Sequence, residues 1–230
     1  MNNMIAILKR QLKDTLKNKT ILIQFVMFPM LTLILNYTIV IDGMPENFFV
    51  NLFAVMYIVM APLTSMAAII AEEKEKNTLR VLMLSNVRPH EYLLGIGIYI
   101  WVICMMGAVV ICTAGSYKPQ ECVIFMGIMA IGILTSSLAG AAIGIWSQTQ
   151  MMATSVTIPV MIIFSFMPML SFFNTTIAKI AKFTYSEQIS RMLGQVNHFQ
   201  LRAETICIMM VNIFIATVLF TIAYKKCRLA

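Results

Sequence analysis

The chain has 230 residues, of which 60% are hydrophobic and only 12% are charged, and its mean hydropathy is +0.84. Soluble domains carry about 25% charged residues, so this composition excludes a soluble globular domain and indicates an integral membrane protein. The net charge of +7 is typical, in such a protein, of cytoplasmic flanks that face an anionic leaflet, and we do not interpret it as a nucleic-acid-binding surface.

The N-terminal segment, Asn2 to Lys19, is basic and amphipathic. Lys9, Lys13 and Lys17 recur every four residues, on a different helical face from the apolar residues. The segment carries too much charge to cross a bilayer, so we predict a helix that lies in the membrane interface. The alternative is an ordinary basic flank that fixes the topology.

The uncharged runs that follow predict an all-α integral membrane fold. We expect residues 20–230 to form a single transmembrane domain with six spans. A span of about 20 residues is long enough to cross the hydrocarbon core. The long uncharged stretch from Cys122 to Ala178 is divided where its polarity is highest, at Trp146 to Gln150. The predicted spans are about 20–41, 47–71, 92–114, 122–145, 151–173 and 205–224.

The segment from Asn174 to Ala203 mixes charged and apolar residues. It predicts one or two short amphipathic helices that lie on the membrane or dip into it, on the extracellular side. With six spans both termini share one side, and that side receives 12 of the 17 Lys and Arg residues. The positive-inside rule therefore predicts a multi-pass protein of the plasma membrane with both termini in the cytoplasm.

The predicted spans contain no Asp, Glu, Lys, Arg or His. Ion-coupled carriers normally keep an ionisable residue at mid-membrane, and intramembrane hydrolases need a base or a metal site. The five cysteines form no CxxC pair, and no phosphate-binding Gly-x-x-x-x-Gly-Lys-Ser/Thr loop occurs. The sequence thus predicts a non-enzymatic protein that obtains any energy for transport from another subunit.

The densest cluster of charge lies between the second and third predicted spans. It reads Glu72-Glu73-Lys74-Glu75-Lys76-Asn77-Thr78-Leu79-Arg80 and is followed by the apolar Leu82-Met83-Leu84-Ser85. This pattern, together with the layout of the spans, resembles the permeases of the ABC transporter type-2 family. Such permeases have acidic residues here, then Gly-Thr-Leu and a short helix. Asn77 stands where the family usually has Gly, and Asn tolerates the left-handed backbone that such a turn needs.

The resemblance implies a half-transporter. Two permease subunits, identical or homologous, would assemble with ATP-binding cassette ATPase subunits that bind ATP and Mg, so this chain would bind no cofactor and no metal itself. The first cytoplasmic loop would couple the permease to the ATPase, and the second and fifth spans would line the path. The implied coupling residues are Glu72, Glu73, Glu75, Thr78, Leu79, Arg80 and Leu82. The candidate path residues are Met56, Met60, Met161, Phe164 and Met167.

The cargo is suggested only by composition. The chain has 21 methionines, and methionine surfaces adapt to varied apolar partners. We therefore expect export of an amphipathic or hydrophobic cargo such as a peptide, a lipid or a drug, although the residues leave the direction open. Two alternatives remain at this point. The first is a channel or an ion-coupled carrier, which transport that persists without ATP would support. The second is a membrane scaffold or a membrane-embedded enzyme, which turnover by the purified chain alone would support.

Overall fold

The computed structural model describes residues 19–39, 47–78, 89–198 and 202–226, and these ranges fold into α-helices with one 3-10 turn. The predicted interfacial helix with Lys9, Lys13 and Lys17 lies outside the described residues, as do Leu79, Arg80 and Leu82. The helices are α1 (Lys19–Thr38), α2 (Phe48–Glu75), α3 (Pro89–Ala114), α4 (Pro119–Trp146), α5 (Gln150–Phe173), α6 (Thr175–Ala181), α7 (Tyr185–Gly194) and α8 (Ala203–Lys226), with the 3-10 turn at Val196–His198.

Five of these helices, α2, α3, α4, α5 and α8, are long and apolar enough to cross a membrane. The first predicted span appears as a shorter apolar helix, Leu22–Thr38. The described chain therefore confirms a helical membrane protein with five long candidate spans and one shorter apolar helix. The predicted break in the long uncharged stretch is also confirmed, because α4 ends at Trp146 and α5 begins at Gln150.

Helix α4 begins earlier than the sequence predicts. We expected this span to begin at about residue 122, but the helix starts at Pro119. Proline suits the first helical position because its missing N–H would have no partner there. The backbone N–H of Lys118 donates to Oε2 of Glu121 at 2.8 Å, which satisfies one of the open donors at this helix end.

Helix α2 is the centre of the bundle, and it contacts α1, α3, α4, α5 and α7. Its closest neighbour is α4, because Gly140 and Gly144 let the two backbones approach. A Cβ atom on Gly140 would lie 2.4 Å from the carbonyl oxygen of Leu63, and one on Gly144 would lie 2.9 Å from that of Ala67. This GxxxG spacing therefore forms a helix–helix contact within the chain.

The hydrogen bonds between helices define two ends of the bundle. At one end the hydroxyl of Tyr117, just before α4, donates to Oδ1 of Asn51 near the start of α2. At the other end Lys74 of α2 donates to the backbone at the end of α4. Helices α2 and α4 therefore run in parallel. Helix α1 begins, and α8 ends, at the end that carries Lys74. At the opposite end, Asn36 near the end of α1 donates to the Ala114 carbonyl, and Glu204 near the start of α8 pairs with Lys182.

Helices α6 and α7 confirm the short helices that the amphipathic segment predicts, and α7 enters the bundle rather than lying on its surface. Ile189 of α7 packs where Gly132 of α4 meets Ile58 of α2. Ile58 is ten residues into α2, so this contact lies about 15 Å from the start of that helix. Asn174 and Thr184 cap the N-termini of α6 and α7 with their side chains.

Candidate functional site

The charged cluster that the sequence analysis singled out begins as part of α2, not as a separate loop. We expected the second span to end near Ala71, but the helix continues through Glu75. The helix ends at Glu75. Asn77, two residues later, has a left-handed φ of 54°, and its N–H donates to the Lys74 carbonyl at 3.0 Å. This geometry confirms the left-handed backbone that we expected at Asn77, in the turn that follows the helix.

Lys74 joins the end of α2 to the end of α4. Its Nζ donates to the carbonyl oxygen of Ser147 at 2.7 Å and also to that of Ile145. The last carbonyl groups of a helix have no partner within the helix and carry its negative partial charge. A lysine ammonium is therefore a suitable partner, and the two bonds fix the end of α4 against α2.

Glu75 joins the end of α2 to the start of α5. The backbone N–H of Gln150, the first residue of α5, donates to Oε2 of Glu75 at 2.8 Å. The first N–H groups of a helix are open donors with a positive partial charge, so a carboxylate is favourable here. We call the set formed by Lys74, Glu75, Ile145, Ser147 and Gln150 the helix junction. In this junction the adjacent and oppositely charged residues Lys74 and Glu75 link α2 to α4 and to α5, respectively.

The other acidic residues of the cluster differ from each other in exposure. Glu73 is buried, and its Oε2 accepts a hydrogen bond from the hydroxyl of Thr78 at 2.8 Å. Glu72 is half-buried and pairs with exposed Lys76 at 2.5 Å, four residues further on. The carboxylate of Glu73 therefore stabilises the turn after α2, whereas Glu72 and Glu75 lie on the outer surface of this end.

The candidate path residues lie on two neighbouring helices, α2 and α5, as the sequence analysis predicts from their spans. Met56 is buried in the core, so it borders no open passage in this arrangement. Met60, Met161 and Phe164 are partly buried and pack against the core. The ring of Phe164 lies 5.3 Å from that of Tyr185, so α7 covers this part of α5.

A buried polar cluster surrounds α7, and its residues were not predicted from the sequence. The carboxylate of Glu187 accepts from Nε of Arg191 at 2.8 Å and from the hydroxyl of Ser171, in α5, at 2.7 Å. The hydroxyl groups of Tyr185 and Ser136 lie 2.9 Å apart. Burial raises the pKa of Tyr185, and the hydrogen bond with Ser136 partly offsets this shift. Thr184 and Glu187 stand in the Ser/Thr-x-x-Glu spacing of a capping box, which could have located this helix start.

Replacement of Glu187 by Leu is expected to destabilise the bundle by about 1–3 kcal/mol, because the change removes two hydrogen bonds and leaves Arg191 without its acceptor. The measurement is thermal unfolding of the detergent-solubilised chain. Glu204→Leu is the control, because the pair of Glu204 with Lys182 is exposed and should contribute no measurable stability. Equal unfolding temperatures for the two variants would contradict a structural role of the Glu187 cluster.

The arrangement described so far defines a class of protein. It is a multi-pass helical membrane protein in which charged residues join the ends of three helices at the helix junction. Among known families, the model of the ABC-2 type transporter matches residues 2–185. The chain therefore belongs to the ABC-2 type transporter family. It is a membrane permease component, and this family lacks the nucleotide-binding domain. A comparison with curated proteins found no match.

Proposed function

We propose that this chain is the permease subunit of an ATP-driven exporter and that the end of α2 receives the movement of a separate ATPase. The single observation that supports this proposal is the helix junction. Lys74 and Glu75 bond directly to the ends of α4 and α5. A displacement of the segment that follows Asn77 would therefore reach three helices without an intervening flexible loop.

In this proposal the acidic residues have different roles. Glu72 and Glu75 lie at the surface, where a cytoplasmic partner can contact them. Glu73 is buried and holds Thr78, so it would position the start of the predicted coupling segment. Leu79, Arg80 and Leu82 continue that segment and stay predicted coupling residues.

The proposed cargo is amphipathic or hydrophobic. One face of α5 is rich in exposed apolar side chains, among them Ile158, Ile162, Phe166 and Leu170, whereas the predicted path residues Met161 and Phe164 pack towards the core on another face. Exposed apolar faces of this kind fit either lipid or a second permease subunit. We infer that a second permease, identical or homologous, packs along this face and that cargo moves between the two subunits.

The proposed orientation places the helix junction in the cytoplasm. Helix α1 begins and α8 ends on that side, and α8 carries Lys225 and Lys226 in its last turn. Positive charge near the ends of spans favours the cytoplasmic side. Both termini would then be cytoplasmic, and α6 and α7 would face the outside.

The experiment that tests this proposal is a pull-down of the full chain from its native membrane in mild detergent, followed by mass spectrometry. We expect a co-purifying ATPase with a phosphate-binding loop. Reversal of charge in the triple variant Glu72→Lys, Glu73→Lys and Glu75→Lys should release that ATPase and reduce ATP-driven transport, while membrane insertion persists.

The matched control is Glu121→Lys, which changes charge at the opposite end of the bundle. This variant should retain the ATPase. Recovery of the parent chain without a nucleotide-binding partner would overturn the proposal and favour a channel, an ion-coupled carrier or an enzyme. Normal transport by the triple variant would contradict the coupling role alone.

A further inference from the structure

A large groove lies in the membrane-spanning part of the bundle, away from α5. Helices α3 and α8 both pack on α4, and the groove is the space between them, with a volume of about 610 Å³. This volume falls within the range of about 300–1,000 Å³ that is typical of ligand sites. Residues that form its walls include Leu94, Gly97, Trp101, Leu134, Phe220 and Tyr224.

The walls of the groove offer a ligand almost no polar atom. The hydroxyl of Ser137 donates to the Ile133 carbonyl at 2.7 Å within its own helix, and the indole N–H of Trp101 donates to the Ala130 carbonyl at 3.2 Å. Water in such a space would lack hydrogen-bond partners, so an apolar occupant is favoured. Leu94 and Leu134 are more than half exposed, which places the opening towards the surrounding bilayer.

The groove has one apolar end and one end beside positive charge. It extends from Trp101 and Leu134, in the middle of their helices, to Leu93 and Tyr224 at the end of the bundle that carries the helix junction. Tyr224 is followed directly by Lys225 and Lys226, and both lysines are exposed. Cations beside an apolar groove at the membrane surface are complementary to a lipid phosphate.

We propose that this groove holds an acyl chain of an anionic phospholipid of the bilayer, with its phosphate bound by Lys225 and Lys226. The lipid would be a resident component of the fold, because α3, α4, α8 and Met66 of α2 line the groove, whereas the exposed face of α5 does not. The proposed orientation would place this lipid in the cytoplasmic leaflet; that part of the inference rests on the proposed function, whereas the presence of the lipid site does not.

The test measures contact between Trp101 and lipid directly. The chain has two tryptophans, so Trp146→Phe leaves Trp101 as the sole tryptophan, whose fluorescence can be excited selectively over that of tyrosine. The full chain with this change is placed in vesicles that contain either phosphatidylglycerol or phosphatidylcholine with brominated acyl chains, which quench fluorescence on contact. We expect the anionic lipid to bind at least about fivefold more tightly, which is the contribution of roughly one lysine near the membrane surface.

Three variants separate the parts of the site. Lys225→Gln with Lys226→Gln should abolish the preference for the anionic lipid and preserve quenching by phosphatidylcholine. Gly97→Leu should reduce quenching by both lipids, because a Cβ atom there meets no neighbour within 4 Å and the new side chain fills the groove. Gly127→Leu is the control, since Gly127 is equally open but lies outside the groove.

The Trp146→Phe protein without further changes decides the main question, even if one of the three variants fails to fold. Equal quenching of Trp101 by the two brominated lipids would overturn the proposed headgroup site. Quenching of Gly97→Leu as strong as that of Gly127→Leu would overturn the occupation of the groove. Both measurements use the permease without an ATPase, so a failure of the proposed coupling would leave them unchanged.

Discussion

Replacement of Lys74 by Met is expected to reduce ATP-driven transport at least about tenfold while the ATPase remains bound. Methionine keeps the apolar stem of the side chain but cannot donate to the carbonyl oxygens of Ile145 and Ser147. Hydrogen bonds from a charged group contribute about 1.5–3 kcal/mol, and a tenfold change in rate corresponds to about 1.4 kcal/mol. The measurements are transport into vesicles and co-purification of the ATPase.

The matched control for this variant is Lys118→Met at the opposite end of the bundle. The side chain of Lys118 is exposed, so its loss should leave transport unchanged. Full transport by Lys74→Met would show that the junction between α2 and α4 does not transmit movement. Loss of the ATPase from Lys74→Met would instead place Lys74 in the binding surface, contrary to the role proposed for it.

Replacement of Gly140 by Leu is expected to prevent assembly of a stable bundle. Even the Cβ atom would lie 2.4 Å from the Leu63 carbonyl oxygen, and a backbone atom in a packed helix cannot move aside as a flexible side chain can. Overpacking of this kind typically costs about 1–3 kcal/mol and more where the backbone must shift. The larger side chain therefore separates α4 from α2 along much of their contact.

The measurement is the yield of monodisperse protein on size-exclusion chromatography, followed by thermal unfolding in detergent. Gly127→Leu adds the same side chain at a position of α4 where a Cβ atom meets no neighbour within 4 Å, and it should behave as the parent chain does. A stable Gly140→Leu protein would mean that α2 and α4 pack less closely than the structure shows.

The extent of the helices was largely predictable from the sequence, because segments within the lipid core are apolar, whereas the connections exposed to water carry polar and charged residues. The polar stretch from Trp146 to Gln150 located the break between α4 and α5, and the mixed composition of 174–203 predicted α6 and α7. Helix ends were less predictable. Pro119 begins α4, and α2 continues past Ala71 to Glu75, because each end is extended by local backbone and side-chain partners.

The candidate site was predictable in part. The acidic cluster and the left-handed Asn77 could be identified from their pattern, whereas the sequence analysis did not single out Lys74 or Gln150. Each of them bonds to a partner that lies about 70 residues away along the chain, Lys74 at the end of α4 and Gln150 at the end of α2. The polar contacts of Glu187 were missed for a similar reason, because Ser171 becomes its partner only when α7 folds back against α5.

The sequence by itself determined that this protein crosses a membrane, where its long helices lie, and that it carries a charged segment typical of ABC-2 permeases. The tertiary structure decided which helix is central, which charges bond to helix ends, and where a groove remains. The physical reason is that a membrane-spanning helix is apolar both where it faces lipid and where it faces protein. Periodicity therefore cannot distinguish the two faces, and only the packing around Gly140, Gly144 and the helix junction does so.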